Sequence, residues 1–251
     1  MSQDIYFEKI GKEGPPVFWG HGWGQNHQAF LPLAQSLNSM GQHCLVDFPG
    51  FGKSPVPDEA WGTEEYADKL AELIKSQTDE KIIWVGHSFG CRVGLQLAAR
   101  HPELIAELCL VAAAGLPRKR PLWHKLYYGA RVYLFKFLKK LIPMGLSKEW
   151  LYQKFGSADY RNAGPLRQIL VKVVNEDLSK VAEDINCPVT FIYGSNDTET
   201  PPEIGERLSR IIPNSKLILM DGFDHYSILT GAQHQVAHKI NALIKDIKGA
   251  K

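Results

Sequence analysis

The sequence has no long apolar run. Every hydrophobic stretch is broken by a charge well short of the roughly 18 residues a membrane-spanning helix needs, which argues against membrane spans. No apolar h-region follows the polar start Met1-Ser2-Gln3-Asp4, so no secretory signal is expected and the cytoplasm is the expected location. Cysteine is scarce. Cys44, Cys91, Cys109 and Cys187 each lie in or beside an apolar strand or helix, at no metal-ligand spacing. They read as small buried hydrophobes, and neither a metal nor a cofactor is expected. Internal repeats and low-complexity tracts are absent as well. A hydrophobic content of 44% with 22% charged residues argues against disorder. The 251 residues suffice for one large α/β domain or for a domain carrying an insertion.

What is present is an alternation of short apolar runs with helical stretches. Strands are expected at Ile5 to Ile10, Pro16 to Gly20, Cys44 to Phe48, Ile82 to Val85 and Leu104 to Ala113. Helices are expected from about His27 to Met40, Thr63 to Ser76 and Cys91 to Arg100. This is the rhythm of βαβ units and a mainly parallel sheet. It stops after Gly115. From Pro117 to about Ile185 the pattern is helical, broken at Pro121, Pro143 and Gly156. It resumes with the strand Val189 to Tyr193, the helix Pro202 to Ile211, the strand Lys216 to Met220 and a last helix from about Gln233 to Ile247. The expected organisation is a core of residues 1–115 and 186–251 with a helical lid, 116–185, over the carboxyl ends of the strands, where open α/β sheets bind ligands.

The chemistry starts at Gly86-His87-Ser88-Phe89-Gly90, between the run Lys81 to Val85 and the helical stretch from Cys91. A G-x-S-x-G between strand and helix is the setting of a nucleophile elbow. The turn strains the serine, the glycines allow strand and helix to approach, and the helix N-terminus supplies N–H groups beside the hydroxyl. A serine nucleophile needs a base, and the base an orienting acid. With the chain order Ser, acid, His, the acid falls at Asp197 in the turn Gly194-Ser195-Asn196-Asp197, with Glu199 as the nearest substitute. Among nine histidines, His225 alone lies in the loop after the last expected strand. His234 and His238 are four apart on the last helix and read as its surface, and His21 and His87 as structural neighbours of the site. Asp224 reads as a supporting residue. An oxyanion hole needs two N–H donors, expected from the backbone of Phe89 and of Trp23 in His21-Gly22-Trp23-Gly24. Cys91 could line the elbow, but a second nucleophile is not expected there.

In order and spacing, His21 to Gly24, the stretch Asp47-Phe48-Pro49-Gly50-Phe51-Gly52-Lys53-Ser54, the elbow and the Gly194 to Asp197 turn resemble the α/β-hydrolase superfamily across nearly the whole chain. Among carboxylesterases, Gly22-Trp23-Gly24 with Asn26 and the Asp47 to Ser54 stretch most resemble the pimeloyl-carrier-protein methyl ester esterases. Two features depart from that closer pattern: Phe223-Asp224 before His225, and a shorter lid. The resemblance implies a serine hydrolase of carboxylic esters working through an acyl-enzyme. A carbon–carbon bond hydrolase of the same superfamily, a carrier-protein ester or thioesterase, and a low-turnover ligand receptor stay open as alternatives.

The net charge of +2 conceals an asymmetry. Between Arg118 and Lys154 stand ten Lys/Arg and one acid, Glu149, while the remainder holds 19 basic and 26 acidic residues. Arg118, Lys119, Arg120, Lys125, Arg131, Lys136, Lys139 and Lys140 are interleaved with Trp123, Tyr127, Tyr128, Tyr133, Phe135 and Phe137. One expectation is that the aromatics pack on the pocket beneath a solvated outer face. The other is a landing site for an acidic acyl carrier protein or an anionic membrane surface. Nucleic acid is not an expected partner, because the body outside this segment is acidic.

Overall fold

The computed structural model describes residues 5–119, 121–144 and 147–249. Its elements follow the chain as β1 (Phe7–Ile10), β2 (Pro16–Gly20), α1 (Leu31–Ser36), β3 (Gln42–Val46), α2 (Thr63–Gln77), β4 (Ile82–His87), α3 (Phe89–Arg100) and β5 (Ile105–Val111). Then come α4 (Leu122–Lys139), α5 (Lys148–Phe155), α6 (Ala158–Asn162), α7 (Arg167–Asn175) and α8 (Ser179–Glu183). The chain returns to the sheet with β6 (Val189–Gly194), α9 (Pro202–Ile211), β7 (Ser215–Met220), α10 (Ser227–Thr230) and α11 (Gln233–Gly249). The sheet order is β1-β3-β2-β4-β5-β6-β7, with β1 antiparallel to β3 and every other pair parallel.

Central strands of a parallel sheet are buried on both faces, so their residues sort by the two-residue period into two cores. Phe18, Trp84, Leu108, Leu110 and Phe191 pack on the face covered by Leu70 of α2, Leu97 of α3 and Leu208 of α9. Trp19, Ile83, Val85, Val111 and Ile192 pack on the other, under Leu33 of α1 and Val236, Ile240 and Leu243 of α11. All parallel strands point the same way, so the loops after β2, β4, β6 and β7 gather at one edge.

One expected helix is different. His27 to Met40 forms a 3-10 turn, His27–Ala29, and a six-residue α1. Asp47 accepts from both the His27 backbone N–H (2.6 Å) and its Nδ1 (2.8 Å), which ties the first turn to the end of β3. Pro32 then starts a new helix, and Leu37 leaves helical geometry. Between β5 and β6 the described residues form helices and no strand.

Candidate active site

Ser88 joins β4 to α3 with φ 49° and ψ −101°, a left-handed conformation that L side chains avoid. Its surroundings enforce it. A Cβ on Gly90 would lie 2.0 Å from the Gly20 carbonyl oxygen, and one on Gly86 would lie 2.7 Å from the Gly90 carbonyl. The Gly90 N–H donates to the His21 carbonyl (3.1 Å), and Trp84 Nε1 donates to the Gly90 carbonyl (3.0 Å). The serine is thus held on a turn where strand and helix touch backbone to backbone.

Ser88, Trp23, Phe89, Thr200 and His225 all line one cavity of about 760 Å³ at the carboxyl edge of the sheet. Among the described residues, neither the Trp23 nor the Phe89 backbone N–H reaches a protein acceptor, whereas their neighbours Gly90 and Gln25 do. The Trp23 indole stands edge-on to Phe51 (4.9 Å) and Phe89 (5.6 Å), which fixes this wall.

His225 is buried, and its Nδ1 lies 2.8 Å from Asp197 Oδ2. A carboxylate only accepts, so Nδ1 carries the proton and the neutral ring keeps its lone pair on Nε2. Asp197 is held by donors on both oxygens. Oδ1 accepts from the Glu199 N–H (2.8 Å) and the Thr200 N–H (2.7 Å), and Oδ2 also lies 3.0 Å from Thr200 Oγ1. Burial works to raise its carboxyl, but the hydrogen bonds from His225 and Thr200 outweigh burial and hold it below the ordinary carboxylate range. Glu199, the substitute acid, is exposed and faces Arg118 at 3.4 Å.

The histidines of the site divide by their partners. His87 Nε2 donates to the His225 carbonyl (2.9 Å), which steadies the loop from the far side. Burial, with His225 adding to it, pushes His87 down to about 3. His21 accepts from the Phe48 N–H on Nε2 (3.1 Å) and donates from Nδ1 to the Gly22 carbonyl (2.7 Å). Burial takes it to about 4. Both are neutral braces. His234 and His238 are exposed on α11. Asp224 turns away from the cavity to accept from the Tyr226 and Ser227 N–H groups. Cys91 is buried, its Sγ on the Val111 carbonyl, and desolvation drives its thiol well up.

Two residues of the site escaped the sequence. Thr200 Oγ1 lies 3.1 Å from His225 Nδ1 and 2.9 Å from the Ala112 carbonyl; the sequence signal for it was the turn Asp197-x-x-Thr200, a side-chain cap on the backbone that follows. Arg92, one turn past the elbow, is buried in the cavity wall and donates to the Glu176 carbonyl (3.1 Å). The expectation that the aromatics of 116–185 pack on the pocket is overturned for the described aromatics of α4, none of which lines this cavity; the side chain of Tyr128 lies outside the described part. The lining from this segment comes instead from Leu116 to Arg118, from Ser157 and Asp159, and from Leu170, Val173, Val174 and Asn175.

Residues 15–150 match the model of the α/β-hydrolase fold family. The chain belongs to that family. Its motifs, its largely parallel seven-stranded sheet and the strand–serine–helix turn are those the family resemblance implied. Among curated proteins it is 29% identical over 234 residues to a pimeloyl-acyl-carrier-protein methyl ester esterase of Neisseria meningitidis, a match covering 86% of this chain and 73% of that one. It is 24% identical over 249 residues to the esterase of the same name from Vibrio cholerae, covering 93% and 95%. Among solved structures, an esterase from Exiguobacterium antarcticum superposes with a TM-score of 0.76 at 22% identity, over 96% of this chain and 95% of that one. These relatives bear out the closer resemblance stated from the motifs.

Proposed function

We propose that this α/β-hydrolase cleaves carboxylic esters through an acyl-enzyme on Ser88, with His225 as general base, Asp197 as its orienting acid, and the backbone N–H groups of Trp23 and Phe89 as the oxyanion hole. The carrying observation is that a strained serine, two unpaired amides and a histidine fixed by a fully hydrogen-bonded carboxylate open on one cavity. Ser88 Oγ adds to the ester carbonyl carbon while its proton passes to Nε2 of His225. The two amides take up the charge on the carbonyl oxygen. His225 then gives the proton to the departing alkoxide, leaving the acyl group on Ser88. A water loses its proton to the same nitrogen as it attacks, and collapse returns the acid product and the free serine. Asp197 keeps the imidazole in the tautomer this sequence requires.

Residues 116–185 serve in this reading as the lid, of which Leu170, Val173 and Val174 give the cavity an apolar wall suited to an acyl chain. The relatives' names supply the first ester to assay, a methyl ester of an acyl chain on a carrier protein. A fluorophosphonate should label Ser88 alone, and Ser88→Ala should remove at least ~10⁴-fold of kcat on a soluble nitrophenyl ester while the fold stays intact. Labelling at another residue, or a tenth of the activity surviving, would reject the assignment.

A further inference from the structure

Helix α4 turns its apolar side outward. Its packed edge is Phe135, whose ring lies 6.1 to 6.2 Å from Tyr152, Phe155 and Tyr160, together with Arg131, whose guanidinium sits 5.3 Å over the Phe155 ring. Leu122, Leu126, Tyr133 and Phe137 follow one another at spacings of four, seven and four, so they form a single stripe along the helix. These four are 53 to 75% exposed, and Leu134 beside them is 45% exposed. Lys136, three residues past Tyr133, borders the stripe, and Lys140, seven past it at the C-cap of α4, closes its end; both are exposed. No Asp or Glu occurs from Leu122 to Lys139. Arg120 and the side chains of Lys125 and Tyr128 lie outside the described part of the molecule.

We propose that α4 lies in the surface of an anionic membrane, its apolar stripe at the boundary of head groups and acyl chains and its lysines on the head-group charges. A convex apolar ridge bordered by lysines matches a planar lipid interface, where the two chemistries are layered at the depth a helix reaches. An acidic carrier protein would satisfy the lysines but leave the stripe facing water. A second copy packed about a two-fold axis would cover the stripe but bring like-charged lysines together. No described helix is long and apolar enough to cross a membrane, so the geometry is one of lying on the surface. The consequence for substrate rests on the ester-hydrolase reading: docking would present the cavity to lipid-borne acyl esters. Docking itself does not depend on catalysis.

The test is flotation of the full-length Ser88→Ala protein with vesicles of phosphatidylcholine and phosphatidylglycerol (3:1), against phosphatidylcholine alone. Binding to the anionic vesicles is expected to be at least tenfold tighter. The double variants Leu126→Ser/Phe137→Ser and Lys136→Glu/Lys140→Glu, made in the Ser88→Ala background for flotation, should each weaken it at least tenfold. In the active protein the same pairs should leave turnover of a short soluble ester and the unfolding midpoint unchanged. Equal binding to both vesicle types, or binding indifferent to both double variants, would overturn the proposal. So would a dimer in sedimentation velocity that both variants dissolve, or binding of an acidic acyl carrier protein with no binding of vesicles. A wild-type protein that floats but hydrolyses no ester would leave docking standing and remove the hydrolase reading.

Discussion

At the scale of single residues, the carboxylate of Asp197 decides which proton His225 holds. Its Oδ1 is claimed by two backbone N–H groups, those of Glu199 and Thr200. An asparagine there must keep its oxygen on those amides, because its NH₂ cannot accept from them. The NH₂ would then face His225 Nδ1, forcing that nitrogen to accept and moving the ring proton to Nε2. The lone pair needed for the serine proton disappears without any change of shape. Asp197→Asn is therefore expected to lower kcat by ~10⁴-fold with little change in KM, a loss of the size known for this substitution in a serine triad. A loss under tenfold would mean that His225 is not the base. Thr200→Val removes one hydroxyl contact and leaves both amides on Oδ1. It should cost only about tenfold, roughly one charge-assisted hydrogen bond. The sequence pointed to Ser88, Asp197 and His225 through the elbow, the turn after β6 and the order Ser, acid, His of this fold type. The structure brings Asp197 against His225 and lines one cavity with Ser88 and His225. Thr200 escaped because the turn Asp197-x-x-Thr200 signals a backbone cap on the carboxylate but not that the threonine hydroxyl reaches His225 Nδ1.

At the scale of elements, two glycines of the site make opposite predictions. Gly90 has φ in the ordinary range but no room, since a Cβ there would stand 2.0 Å from a backbone oxygen. Gly24 has φ +73° and open space around it. Gly90→Ala should destabilise the protein by about 3 kcal/mol or more, since backbone must separate from backbone. Gly24→Ala should cost about 1 kcal/mol, the penalty of the left-handed conformation alone. Urea unfolding of the two variants measures both, and the reverse ranking would show that the elbow can relax. The strands were readable because each is a short apolar run filled on both faces, and β2, β4 and β6 fall within two residues of expectation. The helix expected from His27 failed because no local pattern announces that Asp47, twenty residues on, holds the first turn. The outward apolar face of α4 was hidden for a related reason: periodicity places a stripe on a helix but does not say which way the stripe faces.

At the scale of the whole molecule, the buried histidines set the acid limit of the fold. Burial depresses His21 to about 4 and His87 to about 3, and lowers His43 as well. Their unfolded counterparts take up protons near pH 6.5. Between about pH 6.5 and 4 the unfolded chain therefore binds protons that the native protein excludes, and native stability must fall as the pH drops. The contribution is complete above 6.5 and is lost progressively toward the folded values. Glu107 works the other way, because burial raises its carboxyl and lets the native state take a proton first. With two strongly depressed histidines against it, the net loss from pH 7 to pH 5 should be on the order of 3 kcal/mol. The same histidines brace the site, since His87 holds the His225 carbonyl and His21 ties Gly22 to Phe48. Their protonation would release the His225 loop and the Gly22 loop together, so activity lost by a long incubation at pH 5 should track unfolding. Unfolding free energies measured by urea at pH 7, 6 and 5 check this, with His87→Gln as the control. That variant cannot gain a proton in either state, so its stability should fall with a shallower slope than the wild type. Equal slopes would show that His87 does not carry the effect.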